Sequence, residues 1–473
     1  MTWRSDLPTL LVRLAVIGLC LVLLLAPLPL GANRLWSAAL MAVAMGALAA
    51  LYGVAVWRQP QLCALKCQTG LVLTGIVAVM VMAFALWQTT GWHAAEWAHP
   101  LWLEAQKILS QTDQTFSLTP RIALDPTATY TSVLRFGMYA VVFFMALSVA
   151  AHADDAHLLL RMIIFAGVLY ALYGLSMEFM GLNMILWMEK TRYIDNLTST
   201  FINRNSYATY AGMGFLAAVA FVLRRWRHAW DEIDKKNFWH DLLQRFVGRE
   251  LVWVLLPLVL LVALIYSDSR AGFFSTMAGL VVLVLAFSLN RKLSVVTAGL
   301  LALGMVGLAL FGLALGGAGL LERLSGSALA SDVPYRWRVY ELTWQAILNN
   351  PWFGHGFGNF DQAFRLYRDP SVEGWVHKTH NDYLELAFDL GLPMAILVLA
   401  ALAYLVWRCL MGAMERQRDA IFPILALAVS VQVGLHSVVD FSLQIPAISV
   451  TYATILGMGV AQSWSSRMRG STS

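Results

Sequence analysis

The chain has 473 residues, of which 59% are hydrophobic and 13% charged, with a formal net charge of +5 at pH 7. Soluble globular domains are about 45–50% apolar and about 25% charged, so the composition excludes a soluble enzyme and a disordered regulator. The basic residues lie between apolar runs instead of in one patch, which excludes a nucleic-acid-binding domain. The apolar runs are about twenty residues long, whereas transmembrane β-barrels alternate over about ten. The sequence predicts an all-α polytopic membrane protein.

A spanning helix needs roughly 20 mainly apolar residues, and about 12 transmembrane helices are predicted on that criterion. We expect a single integral membrane domain over 1–473, without a repeat of fixed period. The predicted spans, in chain order, are 10–30, 35–57, 70–88, 132–151, 157–181, 206–223, 251–267, 271–289, 293–316, 383–408, 420–440 and 444–464.

Lys and Arg in the short loops predict the orientation of the spans. With both termini cytoplasmic, most short basic loops fall inside, together with a basic cytoplasmic loop at 224–250. Three segments then lie outside, at 89–131, 182–205 and 317–382. Thirteen of the 33 basic residues fall on that outer side, and ten of the thirteen are Arg. Because the guanidinium fork suits bidentate binding of phosphate, the outer face is predicted to bind an anionic lipid-linked headgroup.

The end of the largest outer segment carries the candidate general base, His380. The next helix is predicted to begin at Asn381 or Asp382, and Asp382 with Glu385 is typical of a capping box. A helix N-terminus disfavours a protonated imidazole and attracts anions. We therefore expect a neutral His380, the form that a general base requires. The alternative is a histidine that only packs at the interface.

Three arginines are candidates for binding phosphate. Arg270 is held at the membrane surface between two apolar helices, where an isolated charge is costly, and Asp268 is an alternative partner for it. Arg204 enters the preceding span at a similar depth. An amphipathic helix is predicted to start at Pro334 and to lie on the bilayer, with Arg338 turned away from its aromatic face. Arg336 is a possible supporting residue or a solvated charge.

A glycine-rich segment and the four cysteines are the remaining candidates for ligand binding. Pro351 to Phe360 contains spaced glycines that allow close backbone approach, but without a Lys-Ser/Thr pair this segment is no Walker loop. We interpret it mainly as a tight turn. The four cysteines are absent from the outer loops, and the spacing of Cys63 and Cys67 fits neither a zinc ribbon nor a thioredoxin motif. We predict no metal and no cofactor.

Together these segments resemble the O-antigen ligase and O-antigen polymerase family of bacterial inner-membrane glycosyltransferases, over about 200–393. The match weakens after Gly391. The residues that carry the resemblance are Asn203-Arg204-Asn205, Ser269-Arg270-Ala271-Gly272, Arg338 before Trp344, Trp352 to Gly358, and His380-Asn381 with Gly391.

The resemblance implies a glycosyltransferase C-like membrane fold and a metal-independent, inverting transfer at the periplasmic face. The donor would be a glycan linked to undecaprenyl diphosphate, with Arg204, Arg270 and Arg338 on the diphosphate. His380 would deprotonate the acceptor hydroxyl. The implied location is the bacterial inner membrane, with 317–382 as the periplasmic catalytic loop, and membrane lipids, but no nucleic acid, as further partners. The acceptor would be lipid A–core for a ligase or a lipid-linked repeat unit for a polymerase.

Several assignments stay open. His377 could share or orient the base function of His380, and the support for this role is its nearness to His380 in the sequence. His436 and Asp440 are four residues apart near the outer end of one span, so we expect them to share a helix face, where they are either functional or mutually satisfied. Asn381 and Asp268 are possible supporting residues. A protein O-oligosaccharyltransferase, and a transporter or flippase of lipid-linked sugars, are the alternative functions. Trp92, Trp97, Trp102 and Trp375 could stack on sugars or anchor the chain at the membrane interface.

Overall fold

The protein is almost entirely helical, with one two-stranded hairpin among the described residues. The computed structural model describes residues 6–62, 68–111, 118–232, 251–290, 304, 307 and 327–464. The described helices are α1 (Leu7–Leu25), α2 (Leu35–Arg58), α3 (Thr69–Gln88), α4 (Pro100–Ser110), α5 (Pro126–Val149), α6 (Ala153–Phe179), α7 (Arg204–Glu232), α8 (Leu251–Tyr266), α9 (Arg270–Asn290), α10 (Ser327–Asn349), α11 (Phe360–Ala363), α12 (Asp382–Glu415), α13 (Ile421–His436) and α14 (Pro446–Ala461). Strands β1 (Met184–Ile185) and β2 (Met188–Glu189) pair antiparallel, with Met184 opposite Glu189.

Eight of these helices are long and apolar enough to cross a membrane, namely α1, α2, α3, α5, α6, the first part of α7, α9 and α12. Shorter apolar helices at Val252–Tyr266, Ile421–His436 and Pro446–Ala461 account for three more of the twelve predicted spans. The remaining predicted span, 293–316, lies outside the described residues apart from positions 304 and 307. The prediction of an all-α polytopic membrane protein is confirmed.

The centre of the bundle is α14, in which all sixteen residues are buried. It packs on α5, where a Cβ added to Gly457 would lie 2.8 Å from the Phe143 carbonyl oxygen. In a similar way, a Cβ on Gly279 in α9 would lie 2.9 Å from the Ala428 carbonyl oxygen of α13. Small residues at such crossings let membrane helices approach closely, because van der Waals packing drives their association.

Several element boundaries differ from the predicted ones. The first helix ends at Leu25 instead of continuing to 30. α7 extends to Glu232, so the predicted loop 224–250 begins with helix, because 224–232 contains no Gly or Pro to end it. α10 begins at Ser327, seven residues before the predicted start, and has Pro334 inside it.

A separate hydrophobic cluster joins α10 and α11 to the start of α12, and it includes Val339, Ile347, Phe360 and Phe388. Trp337, Trp344 and Leu348 of α10 remain exposed on the opposite side of the helix. This distribution matches the amphipathic helix predicted there. The cluster fixes α10 against the N-terminal end of α12, where the candidate site lies.

Candidate functional site

His380 directly precedes Asn381, the residue before α12, and has an unusual backbone conformation, with φ of 56°. Left-handed backbone is rare for a non-glycine residue and persists only where the surroundings impose it. The N-cap of α12 is Asn381, whose side chain accepts from the N–H groups of Tyr383 and Leu384 at 3.0 Å. The helix thus begins at one of the two predicted positions, and His380 lies just outside its N-terminus.

The predicted capping box does not form, because Glu385 points back past the helix start. Its buried carboxylate accepts from the Thr379 N–H at 3.0 Å and from the Thr379 hydroxyl at 2.8 Å. Its other oxygen accepts from Lys378 at 2.8 Å. On the far side of the peptide, the Tyr340 hydroxyl donates to the His380 carbonyl oxygen at 2.8 Å. These contacts hold His380 in its left-handed conformation from both sides.

The His380 imidazole faces a buried carboxylate, that of Asp440. Nδ1 of His380 lies 3.6 Å from Oδ1 of Asp440; the His380 side chain is 31% exposed and the Asp440 side chain 0%. The distance is slightly longer than a hydrogen bond, and such contacts tighten when substrate binds. Burial works to raise the pKa of Asp440, but His380, His436 and the Ser442 hydroxyl lower it below its usual range. Asp440 is therefore a charged partner for His380 at neutral pH.

The position of Asp440 contradicts the prediction that this residue shares a helix face with His436. α13 ends at His436, and Asp440 lies in the turn before α14, so the spacing of four residues does not place them on one face. His436 is bonded through Nδ1 to Thr209, whose hydroxyl donates to Ser442 at 2.9 Å. Ser442 in turn donates to Asp440 at 2.6 Å. His436 and Asp440 are therefore linked through the hydroxyl groups of Thr209 and Ser442 instead of pairing directly.

Three helix N-termini meet beside this pair, and Asn205 in the first turn of α7 connects them. Its side-chain oxygen accepts from Ser269 at 2.8 Å, and its side-chain nitrogen lies 3.4 Å from Oδ1 of Asp440. Ser269 precedes α9 and accepts from the Gly272 N–H. The starts of α7, α9 and α12 therefore lie at one end of the bundle, which we call the site end. Their aligned dipoles favour an anion there.

Two of the predicted arginines begin these helices. Arg204 is the first residue of α7, and its guanidinium donates to Asn196 at 2.8 Å and lies over the Tyr193 ring. Arg270 is the first residue of α9 and is half-buried. Asp268 accepts from Asn196 at 2.9 Å, so it shares a hydrogen-bond partner with Arg204. Burial raises the pKa of Asp268 to about 6, against the opposing effect of the Asn196 hydrogen bond.

The two arginines of α10 occupy different environments from those predicted. Arg338 donates to Asp369 at 2.5 and 3.1 Å and to Glu341 at 2.8 Å. Arg336 instead donates to the Val439 carbonyl oxygen at 2.6 Å, directly beside Asp440. Arg336 is therefore half-buried and bonded to the backbone, which disagrees with the alternative of a solvated charge. The geometry brings Arg336, rather than Arg338, to the His380–Asp440 pair.

The glycine-rich segment is a structural turn, because its N–H groups already have acceptors. Those of Gly354, His355 and Gly356 donate to carbonyl oxygens of Asn350, Phe388 and Asp389. Those of Phe357 and Gly358 donate to the side chains of Gln88 and Asp389 at 3.0 and 2.7 Å. A Cβ on Gly354 would lie 2.5 Å from the Asp389 carbonyl oxygen. The segment packs against α12 and does not offer these N–H groups to a phosphate.

His377 lies only three residues before His380 but contacts a different group. Its Nδ1 is 3.0 Å from Oδ2 of Asp361, and its side chain is 62% exposed. Asp361 also accepts from the Trp375 indole at 2.6 Å. The structure thus places His377 in a second polar cluster, and the contacts that orient His380 come from Tyr340, Glu385 and Asp440. No pattern in the sequence indicated a role for the Tyr340 hydroxyl.

The fold and the site end define a multi-pass helical membrane protein with a histidine, a buried carboxylate and arginines gathered where helix N-termini meet. Residues 255–399 match the family model described as O-antigen ligase. The chain therefore carries an O-antigen ligase domain over that range, which confirms the resemblance to the O-antigen ligase and polymerase family. The matched range contains Arg270, Arg336 and His380, whereas Arg204 and Asp440 lie outside it. No curated protein matches the chain significantly.

Proposed function

We propose that the protein transfers a glycan from undecaprenyl diphosphate to an acceptor hydroxyl, with inversion and without a metal ion. The supporting observation is the His380–Asp440 pair at the point where α7, α9 and α12 begin. The pair supplies a base, and the helix N-termini with their arginines supply a site for a leaving diphosphate. The family match supports a glycosyltransferase of the ligase or polymerase type.

In this reaction His380 accepts the proton of the acceptor hydroxyl. The hydroxyl oxygen then attacks the anomeric carbon from the face opposite the diphosphate, and the bond from that carbon to the diphosphate oxygen breaks. Asp440 stabilises the imidazolium that forms, as a buried carboxylate does for a catalytic histidine. Preorganised positive groups stabilise the charge that develops on the departing diphosphate.

We assign the diphosphate to Arg204, Arg270 and Arg336. Arg336 replaces Arg338 in this proposal because its guanidinium lies against Val439, next to Asp440, whereas Arg338 is paired with Asp369 and Glu341. Since arginine stays charged and presents a rigid fork, it holds phosphate oxygens without needing to titrate. Asn381 caps α12, and Asp268 and His436 support the surrounding polar network.

The proposed location is the bacterial inner membrane, with the site end in the periplasm and both termini in the cytoplasm. The segments 89–131, 182–205 and 317–382 then lie in the periplasm, the last as the catalytic loop, with 224–250 on the cytoplasmic side. The proposed donor reaches the site from the membrane, and the acceptor is lipid A–core or a second lipid-linked repeat unit.

The test uses purified protein in lipid nanodiscs with an undecaprenyl-diphosphate-linked repeat unit, alone and with lipid A–core. A ladder from the donor alone indicates a polymerase, and a product only with lipid A–core indicates a ligase. A product only with a Ser- or Thr-containing protein indicates a protein O-oligosaccharyltransferase. Movement of the lipid-linked sugar across the bilayer, with no product from any acceptor, would overturn the proposal in favour of a transporter.

The residue-level control compares two histidines at the site end. His380→Ala removes the proposed base and is expected to abolish product. His93→Ala removes a half-buried histidine whose ring contacts the backbone of Ala94 and the Trp87 ring, and its activity should stay within about threefold of the wild type. Equal activity of His380→Ala and the wild type would remove His380 from the mechanism.

A further inference from the structure

A second polar cluster lies on the same loop as His380, and we call it the Trp375 platform. It consists of Asp361, Arg365, Trp375 and His377. The Arg365 guanidinium carbon lies 3.6 Å from the centroid of the Trp375 ring, in direct stacking contact. The indole nitrogen donates to Oδ1 of Asp361 at 2.6 Å, and His377 contacts Oδ2 at 3.0 Å.

These contacts fix the Trp375 indole while leaving it accessible, since the residue is 54% exposed. Burial works to raise the pKa of Asp361, but hydrogen bonds from His377 and Trp375 and the nearby charge of Arg365 lower it. The carboxylate is therefore charged at neutral pH and keeps both partners in place. A fixed ring loses little conformational freedom on binding a ligand, which favours affinity.

The surroundings of Trp375 differ from those of the exposed tryptophans on α10. Trp337 and Trp344 share an exposed face with Leu348, an apolar surface that suits lipid headgroups. Trp375 lies instead between an arginine, a carboxylate and a histidine. Such a mixture of one flat apolar face with convergent hydrogen-bonding groups is suited to a ligand that has an apolar face and polar edges.

The chain places this platform close to the proposed base. Trp375 is five residues before His380, and an extended chain covers at most about 3.3–3.6 Å per residue. The two Cα atoms are therefore at most about 18 Å apart. Trp375 and His377 are both exposed, with the half-buried Val376 between them, so these two side chains face outward shortly before His380.

We propose that the Trp375 platform is a carbohydrate-binding subsite, where a pyranose ring of a glycan chain stacks on the indole. The apolar C–H face of the sugar would cover the ring face that Arg365 leaves open, while Asp361, Arg365 and His377 would bind its hydroxyl groups. The inference deepens the proposed function and rests on it, because the glycan is taken to be either the donor chain or the acceptor chain held away from the reacting carbon.

The test measures binding without turnover, by saturation-transfer difference NMR on the full chain in nanodiscs. The first probe is the phosphate-free oligosaccharide released from the lipid-linked donor by mild acid, and the second is the core oligosaccharide. Trp375→Ala should weaken binding of one probe by about tenfold, a loss within the range found when bases stack on aromatic side chains. Trp375→Phe keeps an aromatic face and should stay within about threefold.

The matched control is Trp344→Ala, which removes an indole of similar exposure, 46% against 54%. It should leave the affinity for both probes unchanged. Loss with the donor oligosaccharide assigns the platform to the donor, and loss with the core oligosaccharide assigns it to the acceptor. Unchanged binding of both probes to Trp375→Ala, or no binding of either probe to the wild type, would overturn the inference.

This experiment also separates the subsite from the reaction. His380→Ala protein should bind the oligosaccharide like the wild type, because the base does not touch the platform. If no acceptor yields product but binding still depends on Trp375, the proposed transfer fails while the carbohydrate subsite stands. If transfer proceeds and Trp375→Ala leaves both binding and the donor KM unchanged, the subsite fails alone.

Discussion

Replacing Asp440 by Asn tests the proposed mechanism most directly. The change removes one negative charge and keeps a side chain that can still bond to Ser442 and Asn205, which lie 2.6 and 3.4 Å from the carboxylate. The imidazole of His380, 3.6 Å away, would lose its charged partner. The imidazolium formed on proton transfer would then be less stable, so we expect kcat to fall while the donor KM changes little.

The geometry sets the size of the effect. Two unit charges 3.6 Å apart interact by about 5 kcal/mol at an effective dielectric constant of about 20. Because His380 is partly exposed, solvent screening lowers this value, and we expect about 2–5 kcal/mol. At about 1.4 kcal/mol for each factor of ten, the rate should fall roughly 30- to 4,000-fold.

The assay is the initial rate of glycan transfer in nanodiscs at neutral pH, with thermal unfolding as a check on folding. Asp369→Asn serves as the control, because it removes a carboxylate paired with Arg338 instead of His380. It should keep its rate within about threefold. A folded Asp440→Asn protein with a rate equal to that of the wild type would refute the assignment of Asp440 as the partner of His380.

Three further outcomes follow from the contacts. Arg336→Lys should raise the donor KM about tenfold or more by losing charge-assisted hydrogen bonds. Arg338→Lys should change the donor KM less than about threefold. Equal effects of the two variants would contradict the assignment of Arg336, instead of Arg338, to the diphosphate. The raised pKa of Asp268, about 6 against an ordinary value of 3.8, means that ionisation costs stability as the pH rises from about 4 through 6. Asp268→Asn should therefore unfold at a higher temperature than the wild type at pH 8, with a gain of about 1 kcal/mol after allowing for solvent screening, and the difference should vanish near pH 4. Gly391→Ala should destabilise the protein by several kcal/mol in thermal unfolding, because the φ of Gly391 is 76° and the new Cβ would lie 2.5 Å from a backbone oxygen. Gly181→Ala is the control: with φ of 66° and no atom near the new Cβ, it should cost only about 1–2 kcal/mol. Similar losses for both variants would mean that the close approach at Gly391 is unimportant.

The spans were predictable because each long apolar run has to satisfy its own backbone in a membrane, and a helix is the simplest way to do so. The ends of the helices were less predictable. The basic run that starts at Arg224 is polar, yet it continues α7 because it lacks a helix-breaking residue. Conversely, α13 ends at His436 although the predicted span continues to 440, so Asp440 lies in a turn, with its carboxylate 3.6 Å from His380.

The candidate site was predictable in its types of residue but not in its pairings. His380 at the mouth of a helix followed from the Asn-Asp start of α12, since the cap chemistry is local. The choice between Arg336 and Arg338 depended on which side of α10 packs against the turn after α13, a contact about a hundred residues away along the chain. The link from Asn205 to Asp440 is longer still, and one sequence contains no information on such tertiary contacts.

The break in α12 has a consequence for where the chemistry takes place relative to the lipid. Gly391 interrupts the helix with φ of 76° and ψ of 163°, and the 24 residues after it cover about 36 Å, enough to cross a hydrocarbon core of about 30 Å. Residues 382–390 therefore form a separate stub of about 13 Å, with Phe388, Asp389 and Leu390 buried in protein. In the proposed reaction, the angle at this one glycine helps to set the position of His380 relative to the bilayer, and with it how far from the hydrocarbon core the anomeric carbon of a membrane-anchored donor must lie to react.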